Sequence, residues 1–335
     1  MPLYIVTVSI DMANQNQDRF SEFRHRQVST NGISMHVAEL GDLSAPPVLL
    51  LHGFPELWLS WRHQMAALAA NGYRAIAPDL RGFGDTDVPA DPLAYTLFHI
   101  IGDLIGLLDQ LELSRVFVVG HDWGAYMAWH LCLFRPDRVR ALVNIGIPYS
   151  PRSPSVKPID NFFKLLGDGF YICQFQEPGR AEASFARYEV PTVLKKFFSI
   201  KLDNLSAPPG MEIIDHLEEP PSLEWISEDE LQYFAEKIQK NGFTGPLNYY
   251  RNLDKNWELM APWQGAKIQV PTKFILVTKE VGYKTYGMEM TVKGGRMKEV
   301  VPNLDVVSVE GYHFIQQEKA EEVTSEILSY FSSQI

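Results

Sequence analysis

Residues 116–134 constrain this chain more than any other stretch. An apolar run, Val116-Phe117-Val118-Val119, leads into Gly120-His121-Asp122-Trp123-Gly124, and residues 125–134 continue in a helix-forming pattern. A strand that passes into a helix through Gly-x-Asp-x-Gly must turn so tightly that the flanking positions have no room for side chains. Such a turn lifts its central residue, Asp122, over the end of a sheet. An Asp just before a helix is also a common N-cap; the two glycines and the apolar strand favour the tight turn.

The rest of the chain supplies the sheet. Residues 28–30 and 33–39 read as a hairpin through Asn31-Gly32, a strong turn signal. Residues 48–51 and 74–78 read as buried strands, the first ending at His52-Gly53-Phe54-Pro55 and the second running into Asp79-Leu80-Arg81-Gly82. Helical patterns at 61–70 and 98–111 alternate with these strands, and another strand is expected at 141–147. Strands separated by helices imply parallel pairing with right-handed crossovers. After Tyr149 the pattern changes. Pro148, Pro151, Pro154 and Pro158 interrupt regular structure, and helical stretches follow at 181–185, 193–198 and 228–241 without clear strands. Strands resume at 272–278 and 306–309, and a helix at 320–331 closes the chain. The expected organisation is a tail over 1–24, a first core part over 25–148, a helical cap over 149–259 and a second core part over 260–335.

Composition excludes several classes. The formal net charge is −11 with no basic block, which argues against a nucleic-acid partner and against anionic membrane surfaces. No apolar stretch is long enough to span a bilayer. The short apolar run at 3–10 lacks the basic start and long apolar core of a signal peptide. Cys132 and Cys173 are isolated in sequence, which argues against a disulfide framework or a zinc site and fits a reducing, cytoplasmic setting.

The residue at the apex decides the chemistry. A serine there attacks a carbonyl and makes an acyl ester; a carboxylate attacks a saturated carbon and makes an alkyl ester. Asp122 therefore points to opening a strained or activated C–X bond. His313, in Val309-Glu310-Gly311-Tyr312-His313-Phe314, follows the last expected strand. That is where the α/β-hydrolase fold carries its histidine, last in chain order. Its role would be to deprotonate the water that hydrolyses the ester; the alternative is a loop histidine bonded to backbone. The loop at His52-Gly53-Phe54-Pro55 is expected to contribute the Phe54 N–H, beside the Trp123 N–H, as oxyanion donors. His52 and Pro55 are expected to line the substrate site with them. The plain alternative is a simple turn.

Four motifs, His52-Gly53-Phe54-Pro55-Glu56, Ser60-Trp61-Arg62-His63-Gln64, Asp79-Leu80-Arg81-Gly82 and His121-Asp122-Trp123-Gly124, together resemble the soluble epoxide hydrolases, especially the plant type. The resemblance runs from about His25 to the C-terminus. It implies an α/β-hydrolase fold: a mostly parallel central sheet flanked by helices, with an inserted helical cap. It also implies that two cap tyrosines polarise the epoxide oxygen and then protonate the alkoxide. The matching positions are Tyr171, in Gly169-Phe170-Tyr171-Ile172, and Tyr250, in Asn248-Tyr249-Tyr250-Arg251-Asn252, with Tyr249 adjacent. The product would be a vicinal diol from a lipophilic epoxide, with no cofactor or metal, made by a monomer or homodimer.

The chain departs from the family at the acid that orients the histidine. An aspartate is expected after the penultimate strand, yet residues 274–283 contain none, and Glu280 falls at the matching place. Its extra methylene has to be accommodated, Lys279 and Lys284 stand nearby, and a solvated surface Glu is the competing reading. Residues 144–149 offer no other carboxylate, and Tyr312 is bulkier than the small residue expected beside the histidine. Three other outcomes stay open on the same residues: haloalkane dehalogenation, an epoxide-opening cyclase, and a non-catalytic small-molecule receptor.

Overall fold

Asn31 and Gly32 both adopt positive φ, 45° and 80°. They form the tight turn between β1 (Arg24–Thr30) and β2 (Ile33–Leu40), which pair antiparallel, as Asn-Gly between two strands requires. The computed structural model describes residues 20–201, 205–280 and 288–334. β3 (Pro47–Leu51), β4 (Arg74–Pro78), β5 (Val116–His121), β6 (Val139–Ile145), β7 (Thr272–Val277) and β8 (Leu304–Val309) complete an eight-stranded sheet. Its order is β1-β2-β4-β3-β5-β6-β7-β8; β1/β2 and β2/β4 are antiparallel and the remaining pairs parallel. β4, β5 and β7 are buried at every position. Each carries an apolar run, at 75–78, 116–119 and 274–277, because helices cover both faces of a parallel sheet.

Helices α1 (Arg62–Ala70), α2 (Leu97–Gln110) and α3 (Trp123–Phe134) belong to the first part of the core. The first strand starts earlier than hydrophobic periodicity indicates, because residues 24–27 are polar and exposed. Arg26 is held there by Glu39, a buried carboxylate that also pairs with Arg74. Residues 1–19 of the expected tail lie outside the described residues. Phe20 and Phe23, the described aromatic residues of that tail, are packed: their rings stand edge-on to Trp58 at 5.8 and 5.0 Å.

Between β6 and β7 the described chain forms eight helices: α4 (Pro158–Leu166), α5 (Tyr171–Gln174), α6 (Arg180–Phe185), α7 (Val190–Phe198), α8 (Ile213–His216), α9 (Glu228–Asn241), α10 (Thr244–Arg251) and α11 (Leu253–Leu259). Specific polar contacts tie this layer to the sheet domain. Tyr249 donates to the Arg81 carbonyl at 2.9 Å, Trp58 Nε1 donates to the Tyr233 hydroxyl at 3.1 Å, and the Leu97 N–H donates to Asn256 Oδ1 at 2.9 Å. Each satisfies a buried group that would otherwise be left without a partner, so the layer is docked in one register. After β7 come α12 (Met288–Lys293), α13 (Arg296–Val300), α14 (Ile315–Glu318) and α15 (Ala320–Ser332). α15 packs on α1, and α2 packs on α3.

Candidate active site

The loops that follow β3, β5, β7 and β8 meet above the carboxyl ends of the sheet, where open α/β sheets place their sites. Asp122 follows β5 directly, with φ 52° and ψ −121°. That strained conformation persists only where the surroundings enforce it. They do so by close packing: a Cβ on Gly124 would stand 2.0 Å from the Leu51 carbonyl oxygen, and one on Gly53 would stand 2.2 Å from Asp122 Oδ1. Asp122 occupies the N-cap position of α3, but its side chain makes no capping bond, so the helix-cap alternative falls. Instead Oδ1 accepts the Phe54 N–H at 2.7 Å. Burial works to raise the Asp122 carboxyl, but His313 and the Phe54 N–H outweigh it and hold it below the usual range.

His313 stands on the loop after β8, its Nε2 3.6 Å from Asp122 Oδ2. Its Nδ1 donates to Glu280 Oε1 at 2.7 Å. Glu280 is fully buried, which overturns the reading of it as a solvated surface residue. Two backbone bonds hold its loop against the histidine loop: the Thr278 N–H to the Val309 carbonyl and the Lys279 N–H to the Gly311 carbonyl, both 3.1 Å. Lys279 does not compete for Glu280; its ammonium pairs with Glu310 at 2.7 Å on the surface. Lys284 lies outside the described residues. Tyr312 turns outward, 37% exposed, with the Lys279 ammonium over its ring, so its bulk costs the site nothing. Burial alone would lower the His313 pKa. Two facing carboxylates, Glu280 and Asp122, prevail and raise it well above the usual value.

A cavity of about 430 Å³ opens in front of Asp122 and His313. Phe54, Pro55, Tyr171 and Tyr250 line it, and Phe162, Phe170, Phe197 and Phe314 make much of the wall apolar. The rings of Tyr171 and Tyr250 are 5.8 Å apart and nearly perpendicular. Burial pushes the Tyr250 phenol well above its usual pKa, with Tyr171 and Asp122 adding to the effect. Tyr249, its neighbour in sequence, faces the other way, toward Arg81. Trp123 stands edge-on to Tyr250 at 4.9 Å. As the first residue of α3, its N–H has no acceptor within the helix. His52 corrects an expectation: it does not line the cavity. Its Nε2 accepts the Leu80 N–H at 3.0 Å and its Nδ1 lies 3.0 Å from the Gly53 carbonyl. It braces two loops against each other, and burial lowers its pKa.

A second polar layer beneath the nucleophile escaped the sequence reading. His121 Nε2 donates to the His313 carbonyl at 2.7 Å, and its Nδ1 lies 3.1 Å from Glu56 Oε2. Gln316 and Gln317 both donate to Glu56 Oε1 at 2.8 Å, and Arg62 bonds Gln317. This network fixes the backbone of the histidine loop from below. Glu56 is visible in sequence as the last residue of the His-Gly-Phe-Pro-Glu motif. Nothing in a periodicity analysis marks a polar residue as buried. Among the described residues no three His, Cys, Asp or Glu side chains gather as a metal site, and no helix is long and apolar enough to cross a membrane.

A family model of the α/β-hydrolase fold matches residues 46–320. Epoxide hydrolase 1 of Siraitia grosvenorii is 53% identical, over 92% of this chain and 98% of its own length. Epoxide hydrolase A of Mycobacterium tuberculosis is 38% identical, over 92% and 97%. Among solved structures, an epoxide hydrolase from Vigna radiata superimposes with a TM-score of 0.90 at 46% identity, covering 94% of this chain and 99% of that one. Epoxide hydrolase I of potato (Solanum tuberosum) gives 0.88 at 44% identity, covering 93% and 99%.

Proposed function

The chain belongs to the α/β-hydrolase fold family, among its epoxide hydrolases, and on that premise we propose how its own residues open an epoxide to a vicinal diol. Asp122 is the nucleophile. Its Oδ1 is engaged by the Phe54 N–H, so Oδ2 is the oxygen that attacks the epoxide carbon. As the C–O bond breaks, Tyr171 and Tyr250 donate hydrogen bonds to the departing oxygen and then a proton. The intermediate is an alkyl ester of Asp122, with Oδ1 as its carbonyl oxygen already in the donor site where negative charge develops in the next step.

Ester formation also changes His313. The Asp122 charge that helped hold the imidazolium protonated is gone, so the ring becomes more acidic; its proton passes to the tyrosinate left by epoxide opening, and the neutral ring can act as a base. It takes a proton from water, hydroxide adds to the ester carbonyl, and the tetrahedral oxyanion is held by the Phe54 N–H and the Trp123 N–H. On collapse the His313 imidazolium protonates the leaving alkoxide, which frees the diol, and the carboxylic acid so formed returns its proton to His313 and regenerates the carboxylate. Glu280 orients the imidazole and balances its charge. The helical layer over residues 149–259 acts as the cap, and its aromatic wall suits a lipophilic epoxide of moderate size.

One observation carries the reading: a carboxylate 3.6 Å from a histidine that is itself hydrogen-bonded to a second carboxylate, facing a pair of phenols across an apolar cavity. The contact between Glu280 and His313 favours water activation over the cyclase and receptor alternatives. A panel of aryl- and alkyl-substituted epoxides, with products separated by chromatography, tests it. Diols are expected. Cyclic ethers without diol, halide release from chloroalkanes, or tight binding without turnover would each overturn it in favour of one rival.

A further inference from the structure

Gly146 follows β6 directly, with φ 76° and its N–H donated to the Ile275 carbonyl at 3.1 Å. Many glycines here answer only to backbone conformation: Gly32 and Gly72 have positive φ and open space where a Cβ would be. Gly146 answers to a side chain as well. A Cβ built on it would stand 2.7 Å from Glu280 Oε2 and 3.6 Å from its carboxyl carbon. The first distance is well inside van der Waals contact, which for carbon begins at about 3.5 Å. The carboxylate has no free path away from it. Glu280 is fully buried and its other oxygen is bonded to His313 at 2.7 Å, so any retreat from a methyl group at position 146 stretches or turns that bond.

We propose that Gly146 is a positioning residue for water activation: the side chain missing at the end of β6 is the space that lets a glutamate, rather than a shorter aspartate, stand behind His313. The inference rests on the roles proposed above for His313 and Glu280. It accounts for the extra methylene of Glu280 without displacing the histidine. An aspartate at 280 would hold its carboxylate back by one C–C bond, roughly 1.5 Å, and would leave the space beside Gly146 unfilled. Positions 146 and 280 are therefore coupled, although they belong to different strand ends.

The test is a double-mutant cycle of wild type, Gly146→Ala, Glu280→Asp and the double variant. Two readouts are taken: the rate of ester hydrolysis after rapid mixing with an epoxide, and the low-field proton resonance of His313 Nδ1–H. In the wild-type background Gly146→Ala slows ester hydrolysis at least roughly tenfold and shifts or broadens the resonance; in the Glu280→Asp background the same substitution changes either by less than about threefold. Equal effects in both backgrounds would mean that alanine does no more than strain a positive-φ site, and would overturn the proposal. Gly146→Asn guards against poor folding of the alanine variant, because asparagine accepts positive φ more readily than alanine yet carries a Cβ. Wild-type ester hydrolysis in Gly146→Asn, with an unshifted resonance, would also overturn it. The resonance needs no turnover. If the wild type opens no epoxide, the functional reading fails while the coupling is still measured.

Discussion

Replacing Glu280 with glutamine separates the two half-reactions. The substitution keeps the shape of the side chain and lets the amide oxygen accept the His313 Nδ1–H across the present 2.7 Å, but it removes the charge that balances an imidazolium. A hydrogen bond to a charged group contributes about 1.5–3 kcal/mol, or roughly 10- to 150-fold in rate. If the amide instead presents its NH₂, the wrong tautomer is favoured and the loss reaches about 10⁴, as for a triad aspartate changed to asparagine. Hydrolysis of the ester should therefore slow by about 10- to 10⁴-fold, while alkylation, which needs only Asp122 and the tyrosines, slows by less than about tenfold. Intact-protein mass spectrometry after rapid quench should find the enzyme accumulating as the Asp122 adduct. The pH profile has a definite sign. Glu280 raises the His313 pKa, so its loss moves the rise of hydrolysis to lower pH while the plateau falls. An unchanged plateau without adduct would refute the role given to Glu280.

Further outcomes follow from the structure. Tyr250→Phe should slow adduct formation by about 10²–10³-fold in pre-steady-state mixing, the effect of one transition-state hydrogen bond. Because burial raises the Tyr250 pKa, the donor is present below that raised value, and alkylation by the wild type should show no loss from this group at pH below about 10. The His313 pKa read by NMR in the resting enzyme should lie above the apparent pKa of ester hydrolysis, since the ester has lost the Asp122 charge; equality would contradict the proposed sequence. Asp79 is held at about 2: burial pushes it up, but His36, His52 and the Trp58 N–H prevail. It should contribute on the order of 2 kcal/mol of stability, present above its unfolded pKa near 4 and lost as pH falls through about 2. Urea denaturation of Asp79→Asn should reveal the deficit at pH 7 and a shrinking difference from wild type below pH 4.

Legibility in the sequence followed burial and backbone geometry. The elbow at 120–124 was readable because its steric demand selects glycine, and β3, β5 and β7 because burial on both faces leaves apolar runs. β1 was half missed: residues 24–27 are polar, and edge pairing leaves no hydrophobic trace. Glu280 was open because one local sequence suits both a surface loop and a buried acid, and only the third dimension brings it to His313. His52 misled for the converse reason. Its motif adjoins the site, but its ring turns inward to the Leu80 N–H. The Glu56–His121 layer and Gly146 were silent because their partners are distant in sequence: His121 is 65 residues from Glu56, and Gly146 meets a side chain from beyond the next strand.

The covalent ester at Asp122 is the central claim, and oxygen labelling tests it most directly. In a single turnover in heavy-oxygen water, with enzyme in excess over epoxide, water adds to the ester carbonyl and its oxygen stays with the enzyme. Peptide mass spectrometry should find the label in the peptide carrying Asp122, and the first diol should be unlabelled. Label in the first diol, with none at Asp122, would mean that water opens the epoxide directly and would contradict the account.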